Sequence, residues 1–333
     1  MAQETTGTFE GSNASFISLN DDILTVYSQE MIFKSQANNR FLNFAKIEDT
    51  LQFGGGDTVK IIRWGNLSGD PVHVEGDSVT TSNMNADTIT ISVTQYIKAL
   101  EFSEKLLVTA PMDLLSVAAG RLAQHWSDWG PERLLKNTAL TGPTTVVYAG
   151  AATTRATISS SDVLDATALK DAREALASYN APMFDFGNGQ MAYVGIFHPH
   201  QTRSLKDDPE WISMNNYLGT REIMQGEVGM FDGIVIIEST NMPYGGAAAS
   251  SPAFYDVNAD STNDLSVAGH GGNVNVYLGA VFGNDYLAFA PLGDLEMRDG
   301  GADEFGLNHK FAWYQMYGAG ILWADYGVRI ETA

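Results

Sequence analysis

Two segments of strict alternation frame a long polar gap. Val59, Ile61 and Arg63 alternate with Lys60, Ile62 and Trp64, and Ile89, Ile91 and Val93 alternate with Thr88, Thr90, Ser92 and Thr94. A period of two predicts strands. Between them, Gly65–Asp87 holds Gly, Asp, Ser and Asn, one proline and few large apolar groups. A structureless connection of that length is unusual inside a compact domain, so the strands are very long or the loop is functional. A long two-stranded ribbon cannot bury itself and is marginal in water. It must lie against something else, and another subunit is a plausible support.

The rest of the chain reads as mixed helix and strand. Residues 1–20 are rich in Thr, Ser, Gly and Asn and predict an extended arm. A helical pattern starts at Asp21, with Leu24, Tyr27, Met31 and Ser35 on one face, and ends before Gly54-Gly55-Gly56-Asp57. Pro111 suits a first helical turn. After it, Leu115, Ala118, Leu122, Trp126 and Trp129 recur at spacings of three and four, a stripe that can pack on a core. Gly130-Pro131 breaks this helix, and Glu132–Leu140 restarts it. Ser161 is the expected cap of a further helix, lined by Leu169, Ala172 and Leu176. Met191–Phe197, Ile234–Ile237, Val274–Phe282, Tyr286–Phe289 and Tyr326–Ile330 read as strands, and Gly226–Gly233 as turn. No internal repeat or domain linker divides the 333 residues.

Composition removes whole classes of function. There is no cysteine, which excludes disulfides, thiolate metal sites and cysteine nucleophiles. The formal net charge of -21 repels phosphate backbones, so specific DNA or RNA binding is rejected. No run approaches the roughly 18 to 20 apolar residues of a membrane-spanning helix. Met1–Ser12 shows no signal-peptide pattern, and the product is expected to stay in the compartment where it is made.

Candidate chemistry is thin. His198 and His200 form a His-x-His pair that could share a metal from one strand face, with His270 and His309 as further donors, but Pro199 interrupts the pair and a turn is the plainer reading. Asp256, Asn258, Asp260 and Asp264 begin like a calcium loop, yet Ser261 stands where glycine is needed and Val267 where the closing glutamate is needed. A solvated acidic loop is the plainer reading. Gly54–Gly56 lack the following Lys-Ser or Lys-Thr of a phosphate cradle, and Asp57 would repel phosphate. No nucleophile elbow or His-Glu-x-x-His helix is present. No catalytic, cofactor-binding or metal-binding residue is assigned, no cofactor is expected, and a hydrolase or a secreted adhesin finds no supporting motif.

One block carries a resemblance. Phe197-His198-Pro199-His200-Gln201-Thr202-Arg203-Ser204-Leu205-Lys206-Asp207-Asp208-Pro209-Glu210-Trp211 resembles the central signature of the major capsid family named after phage N-four. Its continuation, Gly226-Glu227-Val228-Gly229-Met230-Phe231-Asp232-Gly233 through Glu238-Ser239-Thr240-Asn241-Met242-Pro243, follows in family order. Gly318–Leu322 through Gly327–Ile330 is similar to that family's last strand. Gly245–Gly272 matches least well.

The resemblance implies an α+β chain with the tailed-phage capsid fold, named after phage HK ninety-seven and shared with encapsulin shells. Residues 1–50 would be the N-terminal arm, 51–100 the extended β-hairpin loop, and 101–145 the peripheral domain with its spine helix. Residues 146–280 would be mainly the axial domain, and 281–333 the return to the core. The implied function is a major capsid protein forming pentamers and hexamers of an icosahedral head around double-stranded DNA, without specific binding to it and without a membrane. A separate scaffolding protein, a portal and a decoration protein are the implied partners. The implied location is the virion, after synthesis in the bacterial cytoplasm. One capsid lineage crosslinks a ribbon lysine to the next subunit, and Lys60 and Lys98 stand in or beside the ribbon, where plain surface lysines are the simpler reading. An encapsulin-like compartment is the alternative.

Overall fold

The computed structural model describes residues 39–48, 56–65, 76, 81, 83–109, 114–187, 189–212, 227–245, 274–302, 305 and 307–333. Most of the expected arm, the helix from Asp21, the ribbon tip, and the stretch holding the Asp256–Asp264 loop and His270 lie outside the described residues.

After a short strand β1 (Lys46–Ile47), the predicted ribbon forms from β2 (Thr58–Trp64) and β3 (Ala86–Ser92). They pair antiparallel from Thr58 opposite Ser92 to Trp64 opposite Ala86. The alternation through Thr94 suggested one strand, but the chain makes two. Val93 leaves the ladder, donating its N–H to Asp57 O at 2.8 Å, and β4 (Thr94–Ser103) enters a different sheet. Three helices follow, α1 (Glu104–Thr109), α2 (Leu114–Trp129) and α3 (Pro131–Thr141). The break falls at Gly130-Pro131 as the residues dictate, with Pro131 at the first turn of α3. Ala118, Leu122 and Trp126 of the predicted stripe are buried. Trp129 is not: at the end of α2 it turns outward and is 51% exposed, stacked on His125 and covered by the Arg133 guanidinium.

An eight-stranded sheet is built from β5 (Thr145–Tyr148), β6 (Phe184–Asp185), β7 (Met191–Phe197), β8 (Glu227–Phe231), β9 (Ile234–Glu238), β10 (Tyr244–Gly245), β11 (Val276–Phe282) and β15 (Gly327–Thr332). Its main path runs β5-β15-β11-β7-β9-β8. Helices α4 (Ala166–Ser178) and α5 (Pro199–Lys206) are part of the same segment of chain. Leu169, Leu176 and Leu205 pack with Tyr193, Phe197, Ile234, Ile236 and Ile330. Leu135, Leu140 and Phe41 pack with Val194, Ile196, Val235, Leu278 and Phe282. Burial on both faces is why β7, β9 and β11 read as continuous apolar runs rather than alternations. Two expectations are corrected here. Gly226–Gly233 contains β8, whose hairpin turn to β9 is made by Asp232 and Gly233 at φ 46° and 77°. The cap of α4 is Asp165, which accepts from Ala168 N at 2.9 Å, because the helix starts after the position read from Ser161.

A five-stranded sheet joins β1, β4, β12 (Leu287–Pro291), β13 (Glu296–Ala302) and β14 (Asn308–Ile321). β13 was not foreseen, since Glu296-Met297-Arg298-Asp299-Gly300 carries little apolar signal. The long strand β14 holds this sheet together. β4 lies along one edge, and β13 and then β12 lie along the other. Its two faces differ. Phe311 and Trp313 face α2 and pack with Leu122, Ala123 and Trp126. Gly318 and Gly320 lie on the opposite face, in register with Ala290 and Ala288, and there the ribbon sits down. Val59 and Ile91 are buried against Ala288, Ala290 and Leu322. A Cβ added at Gly318 would stand 2.4 Å from Ser92 O, and one at Gly320 2.6 Å from Ile91 Cγ1.

This seat is tight enough to test. Gly318→Ala must displace the ribbon backbone, and overpacking of this kind costs about 1–3 kcal/mol. The expected result is a lower melting temperature together with faster amide exchange at residues 59–62, while amides of β7 keep their protection.

Candidate assembly surfaces

The signature block forms a knot of polar ties under the eight-stranded sheet. β7 ends at Phe197, and His198 caps α5 by accepting from His200 N at Nδ1, 3.1 Å away. Gln201 closes the capping box, its Oε1 accepting from His198 N. The same buried amide donates to Thr332 Oγ1 at 3.0 Å and Tyr277 O at 3.3 Å. Thr202 donates to Glu238 at 2.6 Å, tying α5 to the end of β9. Asp208 accepts from Ala166 N, joining the segment after α5 to the start of α4. Trp211 stacks on Phe231 of β8. Gln201, Thr202, Asp208 and Trp211 of the signature thus have partners elsewhere in the fold.

His200 stacks on Tyr277, and His198 meets the Tyr277 and Tyr244 rings at a tilt. His309 lies on β14 in the other sheet and is not brought to them. Among the described residues, no group of three or more His, Asp or Glu could hold a metal ion. Gly56 is the only described member of the triple glycine. Lys60 is exposed on the ribbon, and Lys98 is exposed on β4, opposite Trp313 and close enough to His125 to repel its proton.

The surface that remains open is apolar in particular places. Val59, Ile61, Ile89 and Ile91 form the ribbon's inner face against its own sheet. Arg63 secures that face, donating to Leu322 O at 3.0 Å, pairing with Asp87 at 3.2 Å and covering the Trp323 ring. On the outer face, Ile62 and Trp64 stay 60% and 56% exposed. Farther along the sheet that seats the ribbon, Ile97 of β4 is 61% exposed, beside Tyr314 and its Arg298 cover. At the far end of this sheet, where Glu104 N donates to Leu307 O, the side chains of Leu106, Val108, Phe305 and Leu307 are exposed. Sequence alternation identified the ribbon. It gave no sign of the last group, because those side chains lie in short elements with no periodicity.

The comparisons agree with this geometry. Residues 135–290, which include the signature block, match the family model for phage capsid protein. The capsid of Ralstonia phage GP4 superposes with a TM-score of 0.68 at 16% identity, covering 89% of this chain and 91% of that one. The fold is that of a phage capsid protein. The capsid of cyanophage Pam1 has the same arrangement at a TM-score of 0.65 and 13% identity, over 90% of this chain and 93% of that one. The head of Helicobacter pylori bacteriophage KHP40 gives 0.64 and 13%, over 90% and 92%. No curated protein sequence matches. The ties of the knot are made within the subunit, whereas the outer face of the ribbon and the sheet end are exposed among the described residues.

The His198 cap is sensitive to pH. Burial, with the adjacent His200, holds the imidazole below its ordinary value, and a protonated Nδ1 cannot accept from His200 N. For a histidine with a lowered folded pKa, the stabilisation is full above about 6.5 and declines as pH falls below it. His198→Asn keeps a cap and should remove this part of the acid sensitivity. His198→Ala should cost about 1 kcal/mol at neutral pH. Denaturant midpoints measured across pH 5 to 8 check both.

Proposed function

We propose that the chain is a major capsid protein, assembling as pentamers and hexamers into an icosahedral head around double-stranded DNA. The observation that carries the reading is a capsid fold with a ribbon whose inner face is buried and whose outer face exposes Ile62 and Trp64. Ile62 and Trp64 are exposed among the described residues, and a second copy is their proposed cover. The solved structures named above are phage capsids, which favours a genome shell over an enzyme compartment. The N-terminal arm is assigned to residues 1–50 and the extended loop to the ribbon within 51–100. The peripheral domain takes α2 as spine helix and the sheet around β14, and the axial domain takes the eight-stranded sheet.

Contacts of this kind close head to tail into rings. Each is modest, and linkage within a ring raises the effective concentration of the next. The charge of -21 supports containment of DNA without adhesion to it. A structural role asks for no catalytic residue. A scaffolding protein, a portal and a decoration protein are the proposed companions, and the virion is the proposed location after synthesis in the host cytoplasm.

Deletion of residues 65–87 with a short turn in their place tests the role of the ribbon. The expected product is a soluble subunit with an intact ribbon root that forms no closed shells under conditions where the parent chain does. Electron microscopy showing normal particles from the deletion would refute the assignment.

A further inference from the structure

The helix broken at Gly130-Pro131 is bridged twice, by two segments far apart in sequence. The break itself is dictated by its residues. Gly130 N donates to Trp126 O at 2.8 Å, and a Cβ at Gly130 would stand 2.3 Å from that oxygen, so a side chain there must displace backbone. Pro131 has no N–H with which to continue the helix. The two helices then serve different cores. Leu122, Ala123 and Trp126 of α2 pack with Phe311 and Trp313 of the five-stranded sheet. Leu135 and Leu140 of α3 pack with Val194, Ile196 and Leu278 of the eight-stranded sheet. The break stands where the chain passes from one core to the other.

The first bridge is the segment from Asn39 to Leu42. Ser127 Oγ on α2 donates to Asn39 Oδ1 at 3.3 Å, and both residues are buried. Glu132 on α3 is 2% exposed and accepts from Arg40 N at 2.8 Å, Phe41 N at 2.9 Å and Leu42 N at 3.2 Å. The second bridge is Asn241, in the loop after β9. Its Nδ2 donates at 3.2 Å to Asp128 O, one of the last carbonyls of α2, which lack a partner within the helix. Its Oδ1 accepts from Lys136 Nζ on α3 at 3.0 Å, and its backbone O accepts from the same amine at 2.8 Å. Each bridge thus holds one residue on either side of the break. Both are pinned in turn. Phe41 is buried and stacks on Phe282, while Ser239 N donates to Phe197 O and Leu278 N to Pro243 O. Hydrogen bonds are directional, so ties on both sides of a break define an angle that apolar packing leaves adjustable.

We propose that the segment from Asn39 to Leu42 and the side chain of Asn241 are splints that set the angle between α2 and α3. Through that angle they set how the subunit holds its ribbon relative to the eight-stranded sheet. The ribbon sits on one face of the five-stranded sheet and α2 on the other, so a turn at the break carries the ribbon with it. Ser127, Glu132, Lys136 and Asn241 are then positioning residues for shell geometry, acting from inside the subunit. The direction in which each copy presents its ribbon fixes the angle between neighbours, and hence the curvature at which a ring or shell closes. This consequence for curvature rests on the capsid reading given above. The splinted angle does not.

The test uses the absence of cysteine from the chain. Gln124→Cys on α2 and Glu174→Cys on α4, both at exposed positions, take a pair of spin labels and nothing else does. Helix α4 packs on the eight-stranded sheet, so the label distance in the full-length subunit reports the angle across the break. The parent pair is expected to give one narrow distance. Asn241→Ala removes the second splint, and Ser127→Ala removes the α2 end of the first. Each should shift or broaden the distance while amides of β7 keep their protection. Glu132→Gln sets an amide N–H against the backbone N–H groups and should act in the same direction. An unchanged narrow distance in the folded Asn241→Ala and Ser127→Ala variants overturns the proposal. In assembly, Asn241→Ala should give particles of altered diameter by electron microscopy. Shells of the parent's diameter from a variant whose label distance has moved would overturn the assignment to curvature. A parent chain that forms no shells, while its label distances respond as expected, would sink the capsid reading and leave the splints standing.

Discussion

Everything rests on the two unlike faces of one long strand. β14 puts Phe311, Trp313, Gln315 and Tyr317 toward the helices and Ala312, Gly318 and Gly320 away from them. The large face is a conventional core. Trp126 Nε1 reaches Gln315 Oε1 at 2.9 Å, so even the polar side chain there has a buried partner, as a buried amide must. The small face is the less usual half. Without side chains at Gly318 and Gly320, the backbone of β3 can lie almost directly on β14, and Ile91 is buried to 1% exposure by glycine and alanine. A sheet with large residues on both faces would hold the ribbon away and leave Val59 and Ile91 in water.

This seat fixes the root of the ribbon. It is clamped by Val59, Ile91 and Arg63, and the strand pairing runs to Trp64 and Ala86. A rigid root also limits the entropy lost when the outer face docks, since ordering side chains and loops is a large part of the cost of association. The subunit is thus partly preorganised for a contact it cannot make alone.

What the sequence made legible follows from periodicity. The ribbon, the break at Gly130-Pro131, β7 and β9 appear as predicted because their burial is regular along the chain. The pattern misled where a tertiary partner decides. Gly229, at φ 153° in an irregular stretch of β8, looks like a turn residue, and only its pairing with β9 shows a strand. Asp165 and Ser161 are both good caps, and the choice depends on Asp208 reaching Ala166 N from 42 residues away. Trp129 fits the helical stripe but falls past the sheet that would bury it. In the signature block the order of residues was recognisable, but the reason for them was not. Gln201 is informative only once Thr332 and Tyr277 O are seen beside it.

The charge of the chain then decides what kind of contact can build a shell. Copies at -21 repel one another at long range. At physiological salt this repulsion is screened beyond about 8 Å, so it opposes approach but does little once surfaces meet. Several cations are already committed within the subunit, Arg173 to Asp232, Lys206 to Glu238 and Arg63 to Asp87. Others, Lys60 and Lys98 among them, stay exposed, but exposed ion pairs are weak. Apolar contact at short range is the stronger attraction such a surface offers. The places that offer it are the outer face of the ribbon at Ile62 and Trp64, the edge strand of the sheet at Ile97, and the far end of that sheet at Val108 and Phe305. An acidic body with a few apolar contact points stays dispersed until its neighbours are correctly oriented, because misaligned encounters bring charge against charge without burying those points.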